Sequence, residues 1–285
     1  MTDRLAYQVV DVFTDRAFAG NPLAVVLDGG ELTTEQMQAI AREFNLSETT
    51  FPMAAESAEA SYRLRIFTPS TELPFAGHPS IGSAWLMREL GRVSGGRVVQ
   101  ECGAGLLPLT LDGDRVTLTG GTPSIGPVLD EAAALRAVGL DASDFAGDSL
   151  RWAGAGLEFG YLHVKPDAVA RCVPDAAAIG RLHEMAQLSV FSYADGRAHA
   201  RVFAAGAGVA EDPATGSAAL GLGVWLVASG LVAADGETPY LIEQGLEMGR
   251  PSRLECVVAA RAGEAVSARV TGQVVAVAEG TIRVP

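Results

Sequence analysis

One local pattern occurs twice in this chain, and the spacing of the two copies constrains the fold more than any other feature. Arg65-Ile66-Phe67, followed by Glu72-Leu73-Pro74-Phe75-Ala76-Gly77, leads into a segment carrying Gly82, Trp85 and Leu86. Arg201-Val202-Phe203, followed by Glu211-Asp212-Pro213-Ala214-Thr215-Gly216, leads into one carrying Gly221, Trp225 and Leu226. Each copy reads as strand, E-x-P-x-x-G, helix. Glu72 and Glu211 are 139 positions apart in a chain of 285 residues. A duplicated domain produces that offset, and a chain of this length can bury two cores.

The segments beginning near Pro79 and Ser217 are apolar on most sides, as buried helices are, and short alternating runs surround them. The expected fold class is therefore α+β: two pseudo-symmetric halves, each a curled, mostly antiparallel, barrel-like sheet around a central helix. The halves are expected at 1–122 plus 275–285 and at 123–274. The stretch 122–147, rich in Pro, Gly, Ala and Asp with one helical piece at 131–138, reads as the connection between them. In the first half, strands are expected at 5–13, 23–27, 49–53, 60–67, 97–102, 106–111 and 115–119. A helix opened by the capping-box pattern Thr33-Thr34-Glu35-Gln36 runs through Phe44. In the second half, strands are expected at 161–164, 188–193 and 199–204, with a helix at 174–186.

Composition narrows the function classes. Hydrophobic residues make up 48% and charged residues 19%, the balance of a folded globular chain. No stretch offers the 18 to 20 or so uninterrupted apolar residues of a membrane span, and no apolar core follows Met1-Thr2-Asp3-Arg4, so a cytoplasmic protein is expected. Cys102, Cys172 and Cys256 are widely spaced and fit reduced thiols, of which Cys102 and Cys256 fall in strand patterns as core residues. With a net charge of −13 and no basic stripe, nucleic acid is an unsuitable partner. An anionic substrate would need a locally positive pocket, which amides at a helix start supply. His78, His163, His183 and His199 show no ligand spacing, so no metal is expected. Lys165 is the sole lysine and precedes Pro166, a poor setting for a pyridoxal Schiff base, and no G-x-G-x-x-G opens a helix.

Gly77 and Gly216 stand where each apolar helix starts, leaving amides uncovered by a side chain, and His78 and Ser217 follow them at equivalent places. If the two halves face each other, both helix starts serve one carboxylate-binding cleft. His78 reads either as a helix-capping histidine or as a group that hydrogen-bonds substrate or carries a proton. Asp212, before Pro213, reads either as turn chemistry or as a partner for a substrate amine or hydroxyl. Glu48 lies between hydroxyls and apolar groups in Asn45-Leu46-Ser47-Glu48-Thr49-Thr50-Phe51. From residues alone it is either an exposed strand-end glutamate or a buried carboxyl whose raised pKa suits general acid and base work.

Five blocks carry a family resemblance. They are Asp11-Val12-Phe13-Thr14 with Ala19-Gly20-Asn21-Pro22-Leu23-Ala24-Val25; Asn45-Leu46-Ser47-Glu48-Thr49; Phe67-Thr68-Pro69 with Glu72 through Pro79; Glu211 through Ala218; and Gln244-Gly245 with Met248-Gly249-Arg250-Pro251-Ser252. In these blocks the chain resembles the PhzF family of phenazine biosynthesis, whose fold is similar to diaminopimelate epimerase. The resemblance implies a homodimer without cofactor that isomerises a small carboxylate-bearing substrate. It implies that Glu48 takes a proton from substrate carbon and returns it elsewhere, that His78 and Asp212 assist, and that Asn21, Gly77, Gly216 and Ser217 bind substrate. The epimerases use two cysteines, and neither matching position carries one here, so a single carboxylate is the expected proton carrier.

Two other readings remain open at this level. One is a hydrolase using Ser217 with His78, although Gly216-Ser217-Ala218 is not the G-x-S-x-G elbow. The other is a catalytically silent small-molecule binder or interaction protein on the same fold.

Overall fold

The computed structural model describes residues 3–182 and 187–285. The chain divides into two compact units, one of residues up to Thr119 with Thr271–Pro285, the other of Gly120–Val270. No helix among the described residues is long and apolar enough to cross a membrane.

The first unit contains β1 (Arg4–Val12), β2 (Asn21–Val26), α1 (Thr34–Phe44), β3 (Glu48–Met53), β4 (Tyr62–Phe67), β5 (Glu72–Leu73), α2 (Gly77–Glu89), β6 (Arg97–Cys102), β7 (Gly105–Asp112) and β8 (Arg115–Thr119). The second contains β9 (Pro123–Val128), α3 (Glu131–Ala137), β10 (Arg151–Ala155), β11 (Glu158–His163), α4 (Pro166–Val169), α5 (Ala176–Leu182), β12 (Gln187–Ala194), β13 (Arg197–Ala204), β14 (Val209–Asp212), α6 (Gly216–Ala228), β15 (Gly236–Gln244) and β16 (Ser252–Arg261). The last strand, β17 (Glu264–Arg283), passes from the second unit into the first at Thr271.

Within the first unit the pairings close on themselves. β1 lies between β17 and β2 in antiparallel register, β2 pairs parallel with β3, β3 antiparallel with β4, β4 parallel with β6, and β6, β7 and β8 follow antiparallel. β8 then returns to β17, with Thr117 and Thr271 hydroxyls 2.7 Å apart. Among the described residues this makes a closed cycle of eight strands, a barrel without free edges. Helix α2 runs against β1, β2, β3, β6, β7 and β8 with nearly every residue buried. Helix α1 lies on the other face of β3, where Met37, Ile40 and Ala41 join Phe51 and Phe67 in a separate core. It starts with the expected capping box, since Thr33 accepts from Gln36 N and the Gln36 side chain accepts from Thr33 N.

The second unit repeats the same succession of pairings. β9–β10 and β10–β11 are antiparallel, β11–β12 parallel, β12–β13 antiparallel, β13–β15 parallel and β15–β16 antiparallel. Helix α6 is buried without interruption from Gly216 to Val227. Its glycines answer to tyrosines rather than to flexibility. A Cβ at Gly221 would stand 2.3 Å from the Tyr161 hydroxyl, and one at Gly223 2.4 Å from that of Tyr240. Those hydroxyls donate to the helix carbonyls of Ala218 and Ala219, each at 2.7 Å, so two buried phenols find acceptors in the helix they press against.

The repeated motif becomes one structure made twice. Arg65 Nε and Nη2 each lie 2.7 Å from a Glu72 carboxylate oxygen, and Arg201 reaches Glu211 in the same two-pronged way at 2.8 and 2.9 Å. Each guanidinium also lies over the phenylalanine two residues on, 5.1 Å from the Phe67 ring centre and 5.2 Å from that of Phe203. The second copy carries a 3₁₀ turn at Ala205–Ala207 between its arginine and glutamate.

The structure corrects the expected connector at 122–147. Its residues are not a linker: β9 pairs antiparallel with β10, and Ala134, Leu135 and Ala137 of α3 join the second unit's core. The side chains of β9 are mostly half-exposed or exposed, so no buried alternation marks the strand, and Pro, Gly and Ser suit a strand recognised only by its ladder. The short strand β10 and helix α4 also went unanticipated. The helix expected at 174–186 is seen as Ala176–Leu182, and positions 183–186, His183 among them, lie outside the described residues.

Candidate active site

In the first unit, three elements deliver Asn21, Glu48 and His78 to one place. Asn21 opens β2 after a loop drawn tight by Asp11, whose Oδ2 accepts from Phe18 N at 2.7 Å. Gly20, at φ +66°, makes the last step of that loop, and a Cβ there would stand 2.3 Å from the Val12 carbonyl. Only glycine meets both conditions without strain. Glu48 opens β3, beyond the left-handed residue Asn45 that ends α1, and lies opposite Leu23 in the parallel β2–β3 register. His78 is the second residue of α2.

The side chains meet in sequence. Asn21 Nδ2 is 3.2 Å from His78 Nδ1, and His78 Nε2 is 3.4 Å from Glu48 Oε2. The His78 side chain is 4% exposed and that of Glu48 13%, so the glutamate is neither a solvated strand end nor sealed in the core. Burial alone pushes the His78 imidazole down to about 3, which leaves the ring neutral near neutral pH. Two residues further along β3, Thr50 places its hydroxyl 3.0 Å from that of Ser83 of α2, tying strand to helix near the glutamate.

The start of α2 is unusually bare of side chains. Ala76 at the N-cap position has no side chain able to cap, and the third helical residue, Pro79, has no N–H. The amides of Gly77 and His78 thus open the helix without a side-chain partner, at the positive end of its dipole.

In the second unit, α6 starts in the same way by a different route. Thr215 is an ordinary N-cap residue type, yet no side-chain cap forms, because its hydroxyl turns instead to Asp212 Oδ2 at 2.6 Å. Gly216 and Ser217 follow as the first helical residues, both buried, and Asp212 is buried at the end of β14. Gln244, the last residue of β15, braces this corner: Nε2 donates to Asp212 O at 2.7 Å and Thr215 Oγ1 at 3.0 Å, while Oε1 accepts from Thr215 N at 3.3 Å. The bracing roles of Gln244 and Thr215 escaped the sequence reading. The available signal was that both lie in family-like blocks, but only the fold brings β15 beside the α6 start.

The structure thus groups Asn21, Glu48, Gly77 and His78 in one unit, and Asp212, Gly216 and Ser217 in the other. Among the described residues, no group of three or more His, Cys, Asp or Glu has the arrangement of a metal site. All three cysteines are free and buried, and burial pushes the Cys172 thiol up to about 11 and that of Cys256 higher still. Neither is poised as a thiolate.

Comparison with known proteins agrees with this architecture. The family model described as phenazine biosynthesis-like protein matches residues 10–280. A trans-2,3-dihydro-3-hydroxyanthranilate isomerase from Pseudomonas fluorescens is 33% identical over 97% of this chain and 98% of its own. The crystal structure of a PhzF-family phenazine biosynthesis protein from Bacillus anthracis superposes with a TM-score of 0.88 at 26% identity, covering 98% of this chain and 99% of that one. A hydroxyproline epimerase from Agrobacterium vitis, at 15% identity, a TM-score of 0.68 and coverage of 99% and 93%, shares the fold. With the strand-pairing plan and buried helix repeated in both units, the five sequence blocks and the family match agreeing along nearly the whole chain, this protein belongs to the phenazine biosynthesis-like (PhzF) family of isomerases.

Proposed function

We propose that the chain is a cofactor-independent isomerase that moves a proton on a small carboxylate-bearing substrate, with Glu48 as the group that removes it and returns it. The observation that carries this reading is the position of Glu48: a carboxylate at a strand start, largely withdrawn from water, 3.4 Å from the buried ring of His78. A carboxylate so placed, mostly shielded from water and beside a buried imidazole, can accept a proton from carbon and release it to a neighbouring carbon. Its atoms balance without a second reagent: the proton leaves one substrate carbon for a Glu48 oxygen and passes from that oxygen to another substrate carbon.

The uncapped amides of Gly77 and His78 are assigned to the substrate carboxylate, where helix-start N–H groups stabilise negative charge. The same chemistry assigns the Gly216 and Ser217 amides to anion binding. Asp212 is assigned to orienting an amine or hydroxyl, its carboxylate being fastened by Thr215. The relatives named for trans-2,3-dihydro-3-hydroxyanthranilate make that compound the first substrate to try.

The test is solvent deuterium incorporation into trans-2,3-dihydro-3-hydroxyanthranilate and a panel of small cyclic amino and hydroxy carboxylates. Incorporation by the wild-type chain and its loss in Glu48→Gln are expected. Equal incorporation by a folded Glu48→Gln variant overturns the assignment of Glu48. Tight binding of a panel member without exchange in either form overturns the isomerase reading in favour of a silent binder.

A further inference from the structure

We infer that Asn21 is a positioning residue that locks His78 as the neutral Nε2–H tautomer, so that His78 serves the site as a fixed hydrogen-bond donor and not as a proton carrier. The inference rests on the reading of Glu48 given above and adds a division of labour to it.

The bonding capacity of each atom fixes where the ring carries its proton. The Asn21 amide nitrogen is a donor only, and it faces His78 Nδ1 at 3.2 Å in a buried setting. Nδ1 must therefore accept, which leaves it without a proton. A neutral imidazole then carries its single proton on Nε2, the nitrogen that looks at Glu48 Oε2 across 3.4 Å. Burial supports the neutral ring, because a second proton would place a charge where water is excluded. With Nδ1 occupied as an acceptor from an amide that cannot take a proton away, the ring has no path by which to pass one through. It can only point its N–H at the glutamate or at a substrate oxygen arriving between them. The 3.4 Å separation is long for a formed hydrogen bond and leaves room for that contact to tighten when substrate binds.

The backbone explains why this geometry is rigid. Asn21 is held by the Asp11-fastened loop and the β1–β2 ladder, in which it pairs with Val12, and His78 is held by the first turn of a buried helix. Both side chains are buried, so water does not compete for the contact between them.

The full chain labelled with [¹⁵N]histidine gives the test, by long-range ¹H–¹⁵N correlation of the imidazole rings. His78 is identified as the ring that vanishes in His78→Gln. The expected spectrum at pH 7 shows one protonated, pyrrole-like nitrogen at Nε2 and one unprotonated, pyridine-like nitrogen at Nδ1. In Asn21→Asp the carboxylate can only accept, so Nδ1 is expected to become protonated, with loss of about tenfold or more in turnover. A wild-type ring protonated at Nδ1, or at both nitrogens, overturns the inference. An unchanged His78 pattern in Asn21→Asp overturns the role of Asn21. If that variant does not fold, Asn21→Ala takes its place, and a retained single Nε2–H form is the overturning result. The spectrum is read without substrate. A correct tautomer in a chain that shows no deuterium exchange would therefore sink the proposed function while leaving this inference intact.

Discussion

Glu48 Oε2 lies 3.4 Å from His78 Nε2, although the two residues are thirty positions apart and enter from different elements, a strand start and a helix start. The parallel β2–β3 register puts Glu48 opposite Leu23, two residues beyond Asn21, and this brings strand, helix and loop to one corner of the first unit. The chemistry assigned to the site depends on that corner keeping its shape.

Glu48→Gln keeps the volume and removes the base. Turnover is expected to fall by about 10²- to 10⁴-fold, the usual worth of a positioned general acid–base group. Glu48→Asp, shorter by one methylene, is expected to retain part of the activity. Steady-state rates with circular dichroism as the folding control read both effects.

His78 ties stability to pH. Its folded pKa is depressed to about 3 by burial, against about 6.5 for an exposed imidazole, so between those values the unfolded chain binds the extra proton and the folded chain does not. Stability from this group is complete above about pH 6.5 and is lost as the pH falls towards 3, at up to about 1.4 kcal/mol per pH unit. Urea midpoints measured from pH 4 to 7 should fall less steeply for His78→Gln than for the wild type. Parallel curves would contradict a neutral buried ring.

Gly221→Ala sets a methyl group against the Tyr161 hydroxyl, 2.3 Å from the ideal Cβ position. Either the tyrosine shifts and its bond to Ala218 O is lost, or α6 moves, at a cost of about 2 to 4 kcal/mol. Tyr161→Phe in the same chain removes the clashing oxygen, so the double variant is expected to lose less than the sum of the two single changes. Chemical denaturation of all four proteins supplies the cycle.

The two arginine–glutamate pairs look alike and should behave differently. Arg201 and Glu211 side chains are 8% and 17% exposed, and Arg201 also donates to Cys172 O at 2.8 Å. Arg65 and Glu72 are 16% and 38% exposed. Arg201→Met leaves a mostly buried carboxylate without its cation and is expected to cost about 3 to 5 kcal/mol. Arg65→Met strands a better-solvated one and is expected to cost about 1 kcal/mol or less. Denaturant unfolding of both variants decides whether burial, rather than pairing itself, sets the difference.

The doubled plan is readable from the residues alone, because a motif with Arg, Phe, Glu, Pro and Gly at defined offsets carries its own local physics. An arginine two residues from a phenylalanine on a strand, followed by a glutamate on the return, folds the same way in both copies. The capping box before α1 and the largely apolar make-up of α2 and α6 were legible for the same reason, since caps and burial are written in neighbouring residues. Tertiary structure alone decided what depends on register between distant strands. β9 has no periodicity to read and exists because β10 offers it a ladder. Gln244 braces Asp212 and Thr215 because β15 ends beside the start of α6, and Asn21 meets His78 because a closed barrel places β2 against the helix inside it. Such contacts are selected by the three-dimensional path of the chain, and no short stretch of residues encodes the distance between them.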